Sequence, residues 1–389
     1  MTVTRLREIP GIGVDAVGDR ADIASDPEML RLENLDTDLR PPPIAVSTTL
    51  AAVDDDAANS YLPFQGAVPL REAVCAHVGA RAKRAYDPST ECVITAGGLN
   101  GVLNALLATV EPGTEVVVCD PIYAGLVNRI RLAGGIPRFV RCEPTSTGWQ
   151  TDPEALAAAI GPQTSAVLMM SPAMPTGALL GEEHWRAIAR AMEGTDAWLV
   201  YDAAMERIRF DGSDGVHPAA IEGLAERTIT VGSASKELRM IGWRVGWVVA
   251  PAEILHDINL VGLSNVVCQV GLAQGAVAAA LTAPDAARDV AETTAEWAAR
   301  SALILDELAG YPIVPPGGGW SVLIDTMQLG MDPGVASELL FTRGRVAATP
   351  MHGWGPSGSR YLRLVFANEP VPRLTGIRER FDTAWGRPG

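Results

Sequence analysis

Thr228-Ile229-Thr230-Val231-Gly232-Ser233-Ala234-Ser235-Lys236-Glu237-Leu238-Arg239-Met240-Ile241-Gly242-Trp243-Arg244-Val245-Gly246 is the stretch from which the rest of the chain can be read. Its opening, Thr228–Val231, is a β-rich run, so Lys236 follows on a strand and its amine can project from the strand end into a cleft. Arg244, eight residues further on, can return to the same cleft. The planar fork of a guanidinium donates two hydrogen bonds at once and suits a phosphate. Gly242 and Gly246 allow close approach of the backbone. A surface lysine and arginine in an ordinary loop is the plain alternative.

Lys236 is also nearly alone. Only two of the 31 basic residues are lysines, Lys83 and Lys236. Lys83 falls in REAVCAHVGARAKRAYD, an amphipathic helix pattern, on the solvated side. Chemistry that needs a lysine amine therefore has one candidate.

Working outward, strand and helix alternate from residue 90 to 250. Cys92–Thr95, Glu115–Cys119, Ala166–Met170, Ala197–Tyr201, Thr228–Val231 and Val245–Val249 read as strands, and Asn100–Val110, Ile122–Ala133 and Glu182–Met192 as helices. Near-continuous apolar runs such as AVLMM and VVVCD fit strands covered on both faces. The fold class is α/β, with a mostly parallel central sheet flanked by helices. Ligands in such sheets bind outside the carboxyl ends of the strands.

Beyond residue 252 the pattern changes to long Ala-rich helices, Gly262–Leu281 and Pro284–Leu308, then short strands near Gly319–Asp325 and Tyr361–Phe366. This predicts a smaller α+β domain. The large domain is expected over 46–270, and the small one over 271–389 with the irregular segment 1–45, which carries Pro41-Pro42-Pro43.

Composition excludes several classes. A net charge of −15 argues against nucleic-acid binding, which needs Lys and Arg to neutralise phosphates. No apolar run reaches the roughly 20 residues of a membrane span. The N-terminus lacks the apolar region of a secretory signal, so the expected compartment is the cytoplasm. Five scattered cysteines and five histidines show no zinc spacing, and no metal is expected.

Other residues fall at predicted strand ends. Thr95-Ala96-Gly97-Gly98-Leu99-Asn100 runs from strand to helix through two glycines, where free N–H groups and the helix dipole attract phosphate. Asp202 ends AWLVYD and reads alternatively as a helix N-cap. Tyr123 lies in Asp120-Pro121-Ile122-Tyr123, with a core tyrosine as the alternative. Tyr61-Leu62-Pro63-Phe64-Gln65-Gly66 precedes Leu70-Arg71, and Arg363 sits in the apolar run Tyr361–Phe366.

The string S-x-S-K-x(5)-G-x-R-x-G, followed by this order of elements, resembles the class I/II aminotransferases, the aspartate-aminotransferase-like enzymes of fold type I that depend on pyridoxal 5'-phosphate (PLP). The likeness runs from Leu32 to Phe366. It implies that Lys236 carries PLP as a Schiff base and later shuttles the proton. It implies that Ser233, Arg244 and the turn Gly97-Gly98-Leu99 bind the cofactor phosphate. Asp202 would keep the pyridine nitrogen protonated, which strengthens PLP as an electron sink. Tyr123 would stack on the ring. Arg363 would bind the substrate α-carboxylate. Tyr61 would reach the phosphate in a neighbouring subunit, making the protein a homodimer with shared sites. The expected substrates are an L-amino acid and a 2-oxo acid.

The chain departs from the family pattern in three places. N-P-T-G appears as Met174-Pro175-Thr176-Gly177, and D-x-x-Y as Asp202-Ala203-Ala204-Met205. The family's Asn and Tyr donate hydrogen bonds to the cofactor's phenolic oxygen, and a thioether cannot donate. The family's N-terminal glycine appears as Leu35, within Leu32-Glu33-Asn34-Leu35-Asp36-Thr37-Asp38. Drift within an ordinary aminotransferase, with donors such as Tyr201 or Ser171 nearby, is one reading. A specialised lyase, cyclase or oxidase acting after Cα deprotonation is the other. The acids Glu33, Asp36 and Asp38 hint at a cationic substrate.

Overall fold

The computed structural model describes residues 4–7, 9 and 11–386. The outermost residues of the expected small domain, 1–3 and 387–389, lie outside this range.

The main sheet has eight strands: β1 (Cys92–Thr95), β2 (Glu115–Asp120), β3 (Ile136–Thr145), β4 (Gly148–Thr151), β5 (Thr164–Met170), β6 (Trp198–Asp202), β7 (Thr228–Ser233) and β8 (Gly246–Val249). Their spatial order is β1-β8-β7-β6-β5-β2-β3-β4. The neighbours from β7 through β6, β5 and β2 to β3 run parallel. β8 is antiparallel to both β1 and β7, and β4 is antiparallel to β3.

The helices used below are α1 (Val14–Ala24), α2 (Pro43–Val53), α3 (Val68–Ala82), α4 (Gly98–Thr109), α5 (Ala124–Leu132), α6 (Glu182–Met192), α7 (Ala252–Asn265), α8 (Gly271–Thr282) and α9 (Ala286–Glu307). Alternation along the strands explains the apolar runs. Val116, Val118, Leu168 and Val231 face one layer with Leu106 of α4 and Leu126 of α5. Val117, Val167 and Leu199 face the opposite layer with Trp185 and Ile188 of α6. Each such fully buried aliphatic side chain contributes about 1.5–3 kcal/mol relative to exposure.

A second sheet has strands β9 (Ile313–Val314), β10 (Ser321–Asp325), β11 (Thr349–Pro350) and β12 (Tyr361–Val365) in the order β9-β10-β12-β11, all antiparallel. Its core joins Trp297 of α9, Trp320, Phe366 and Phe381, and includes Leu30 and Leu32 from the N-terminal segment. That segment is more regular than expected, since it holds α1 and a two-residue parallel pairing of Leu30–Arg31 with Val346–Ala347.

Two further expectations are corrected. The predicted helix Gly262–Leu281 is broken between Asn265 and Gly271, where Val267 takes a left-handed φ of 69°. Lys83 is not on a helix face: it caps the C-terminus of α3 in the left-handed region and is exposed.

Candidate active site

Strand register sets the site. Thr95 of β1 pairs with Gly246 of β8, which pairs with Ser233 of β7. Asp202 of β6 pairs with Val231 of β7 and with Met170 of β5. The ends of these strands therefore form one row, and a cavity of about 230 Å³ opens on it. Lys236, Asp202, Tyr123, Ser233, Arg244, Gly98 and Leu99 all line it, with Met170, Met174, Met205 and Leu35.

The Lys236 amine donates to the Leu35 carbonyl at 3.0 Å and lies 4.5 Å from the centre of the Trp320 ring. Burial disfavours its charged form and brings its pKa down to about 7; Asp36 and Asp202 oppose the shift, Arg363 and Arg244 add to it. A neutral amine is the nucleophilic form, so this lysine is reactive near neutrality.

Gly97, Gly98, Ser233 and Arg244 form a small cradle. Gly97 has φ +84°, and a Cβ there would meet Arg244 Nη2 at 2.4 Å. A Cβ on Gly246 would strike the Gly97 and Gly98 backbone at 2.5 Å, so the second glycine of the arginine motif lets β8 back onto this turn. Arg244 is held by Ile241 O at 3.0 Å and the Ser235 hydroxyl at 3.5 Å. Gly98 and Leu99 open the 12-residue helix α4, where the first amides have no partner within the helix. The result is a cradle of free amides beside a guanidinium, an arrangement suited to an anion.

Asp202 is buried at the end of β6 and accepts from Ala204 N at 3.1 Å. Burial raises its pKa to about 6, against the lowering by that bond, Lys236 and Arg129. It is therefore mostly ionised at neutral pH, and a cation beside it would hold it there. It does not cap a helix; the turn after it covers residues 204–207.

Tyr123 precedes α5, its ring covering Gly125 and standing edge-on to Trp354 at 5.3 Å. Arg363, on β12, is fully buried, and its guanidinium stacks 4.8 Å from the Trp354 ring. Nη2 donates to Glu33 O and to the Thr349 hydroxyl, while Nε and Nη1 have no hydrogen-bond partner among the described residues. Burial lowers its pKa to about 10. Tyr61 is not brought to this cavity: it is 84% exposed and lines a separate depression with Cys268 and Val270.

Met174 and Met205 are both buried and both line the cavity. The nearby hydroxyls are engaged elsewhere. Tyr201 donates to Ser171 O at 3.2 Å, and Ser171 Oγ accepts from Leu180 N at 2.9 Å. The acidic entry segment is largely neutralised, since Arg31 pairs with Glu33 and Arg300 with Asp38.

Residues 30–380 match the family model described as aminotransferase class I and II. The chain belongs to this family. The probable N-succinyldiaminopimelate aminotransferase DapC of Mycobacterium tuberculosis is 35% identical over 230 residues, 59% of this chain and 57% of that protein. The aspartate/prephenate aminotransferase of Thermus thermophilus is 32% identical over 85% of this chain and 84% of its own length. The solved aspartate aminotransferase from Thermus thermophilus with maleate superposes with a TM-score of 0.90, at 28% identity and 98% coverage of both chains. The fold is that of the fold type I aminotransferases, and the family's cofactor is PLP.

The residues present suit that group. The Gly97–Arg244 cradle matches a phosphate, Asp202 a ring nitrogen, and the low-pKa Lys236 an aldehyde. Among the described residues no helix is long and apolar enough to cross a membrane. Three cavity neighbours had no sequence signal of their own. Arg129 donates to Leu99 O at 2.9 Å, Ser235 sits beside Arg244, and Trp320 faces Lys236. Only Ser235 could have been read, from its place in the lysine motif.

Proposed function

We propose that this protein moves the amino group of an L-amino acid to a 2-oxo acid at the cavity described above. One observation carries the reading: a lysine amine, a buried carboxylate and a glycine–arginine cradle line one cavity of about 230 Å³. Bound PLP supplies the electron sink for the Cα–H electrons. Arg244, Ser233 and the Gly97-Gly98-Leu99 turn would hold its phosphate, Tyr123 would cover the ring, and Asp202 would keep the ring nitrogen protonated. Arg363 orients the substrate through its carboxylate. Lys236 Nζ would take the Cα proton of the substrate and act as its carrier.

Met174 and Met205 favour a second reading, a lyase, cyclase or oxidase that starts with the same deprotonation. They leave the cavity wall without donors where the family has two. A single experiment tests both. The holoenzyme is mixed with a panel of amino acids, and absorbance and product mass are followed over one turnover. A 2-oxo acid product with stoichiometric pyridoxamine phosphate supports amino transfer. Product without pyridoxamine phosphate supports the second reading.

The active unit in this proposal is a cytoplasmic homodimer. Leu50 and Val53 of α2, Tyr61, Phe64 and Val270 are each more than half exposed. A second copy covering this face would bury them and bring Tyr61 to its neighbour's cradle. We also assign 46–270 to the large domain and the segments 1–45 and 271–389 to the small one. Lys236→Ala and Tyr61→Ala subunits, each weakly active alone, should regain roughly a quarter of wild-type activity when mixed, because half the dimers then hold one complete site. Hybrids that form and stay inactive would count against a shared site.

A further inference from the structure

Amino transfer leaves Lys236 free of the cofactor for part of every cycle. A long flexible side chain must then be kept close, yet not so tightly that it fails to return. Two groups lie against the Lys236 amine. On one side is the Leu35 carbonyl at 3.0 Å, on the other the face of Trp320 at 4.5 Å. Among the described residues no carboxylate forms an ion pair with it, although Asp36 and Asp202 act on it from a distance, as do Arg363 and Arg244 with opposite sign.

The ring itself is fixed. Trp320 is 1% exposed and rests on Trp297, whose ring centre is 5.0 Å away. The three glycines before it are strapped to the chain that follows Asp202: Phe210 N donates to Gly317 O and Gly319 N to Ile208 O, both at 2.9 Å. A Cβ on Gly318 would meet Ile208 O at 2.3 Å, so this close approach requires glycine. A mobile cation thus faces an immobile aromatic surface.

We propose that Trp320 is a positioning residue for amino transfer: its indole face, with the Leu35 carbonyl, forms the docking place of the Lys236 ammonium while the lysine is free. This rests on Lys236 being the lysine that binds PLP. The choice of an aromatic face has a chemical reason. A carboxylate in contact would hold the amine charged and raise its pKa, which removes the nucleophile. An indole face attracts the cation more weakly, favouring the docked place by roughly three- to tenfold in population over no aromatic face.

The test is a competition between PLP and pyridoxamine phosphate for the apoprotein, in wild type, Trp320→Phe and Trp320→Leu. Binding PLP takes Lys236 off the ring, whereas binding pyridoxamine phosphate leaves it there. Loss of the aromatic face should therefore raise the bound PLP-to-pyridoxamine-phosphate ratio. The expected rise is roughly three- to tenfold for Trp320→Leu, and smaller for Trp320→Phe. It should be largest below pH 7, where the amine is charged, and fade above it. A merely structural role would weaken both cofactors alike and leave the ratio flat.

A flat ratio in either soluble variant overturns the proposal. Should Trp320→Leu not fold, the sign of the Trp320→Phe shift decides. Borohydride reduction of the PLP-loaded wild type separates the two ideas. A pyridoxyl group absent from Lys236 refutes the lysine assignment; a label on Lys236 with a flat ratio refutes the role of Trp320.

Discussion

Lys236→Ala should lose amino transfer by at least about a thousandfold, because one substitution removes both the PLP attachment point and the proton carrier. The fold should survive. The amine makes one hydrogen bond, to Leu35 O, and its burial is unfavourable for its charged form. The sign follows from the shift. A lysine held at about 7 in the folded protein, against 10.5 otherwise, binds fewer protons folded than unfolded between those values. Its contribution is therefore destabilising, fully so below pH 7, and it is relieved as pH rises toward 10.5. Apo Lys236→Ala should melt no lower than apo wild type at pH 7, with any advantage shrinking as pH rises. In wild type, the rate of PLP capture should climb as the amine deprotonates through about pH 7. Reduction with borohydride and peptide mapping should place the pyridoxyl group on Lys236 and leave Lys83 unmodified. A label on Lys83 would falsify the assignment.

Legibility in the sequence followed burial. β1, β2, β5, β6, β7 and β8 could be read to within about two residues because most are apolar throughout. The β3–β4 hairpin was missed because β3 alternates exposed and half-buried residues along much of its length and has no apolar run. The break between α7 and α8 left no mark because its residues, Val266 to Val270, are as apolar as the helices beside them. Asp202 and Lys236 were legible because their chemistry fixes their types at strand ends. Trp320 was not, since its contact with Lys236 depends on how the second sheet packs on the first. Tyr61 shows the opposite case: its motif is local, and the fold leaves it exposed at a depression apart from the cavity.

Arg363→Lys should raise the KM for the amino acid by roughly 10- to 100-fold, the loss of one of two charge-assisted hydrogen bonds. PLP affinity should change by less than about threefold, because Arg363 lies off the phosphate cradle. The reasoning starts from what the guanidinium lacks. It is buried, one nitrogen is committed to Glu33 O and Thr349, and Nε and Nη1 have no hydrogen-bond partner among the described residues. Two unpaired donors on a buried cation are costly unless something satisfies them. Nε and Nη1 point to opposite edges of the guanidinium, so a carboxylate would take one of them together with an N–H of Nη2, side-on or end-on. Trp354 matters as well, because the guanidinium carbon lies 4.8 Å from its ring centre, a cation–π contact that favours this placement of the arginine. An ammonium on the same stem is a point charge, so it can attract the carboxylate without fixing the Cα–H bond against Lys236. Steady-state kinetics should therefore show a fall in kcat alongside the rise in KM. Spectral titration with the amino acid should show weakened binding directly. If Arg363→Lys instead loses PLP while binding the amino acid normally, Arg363 serves the cofactor, and the carboxylate site must be sought among the residues that line the cavity.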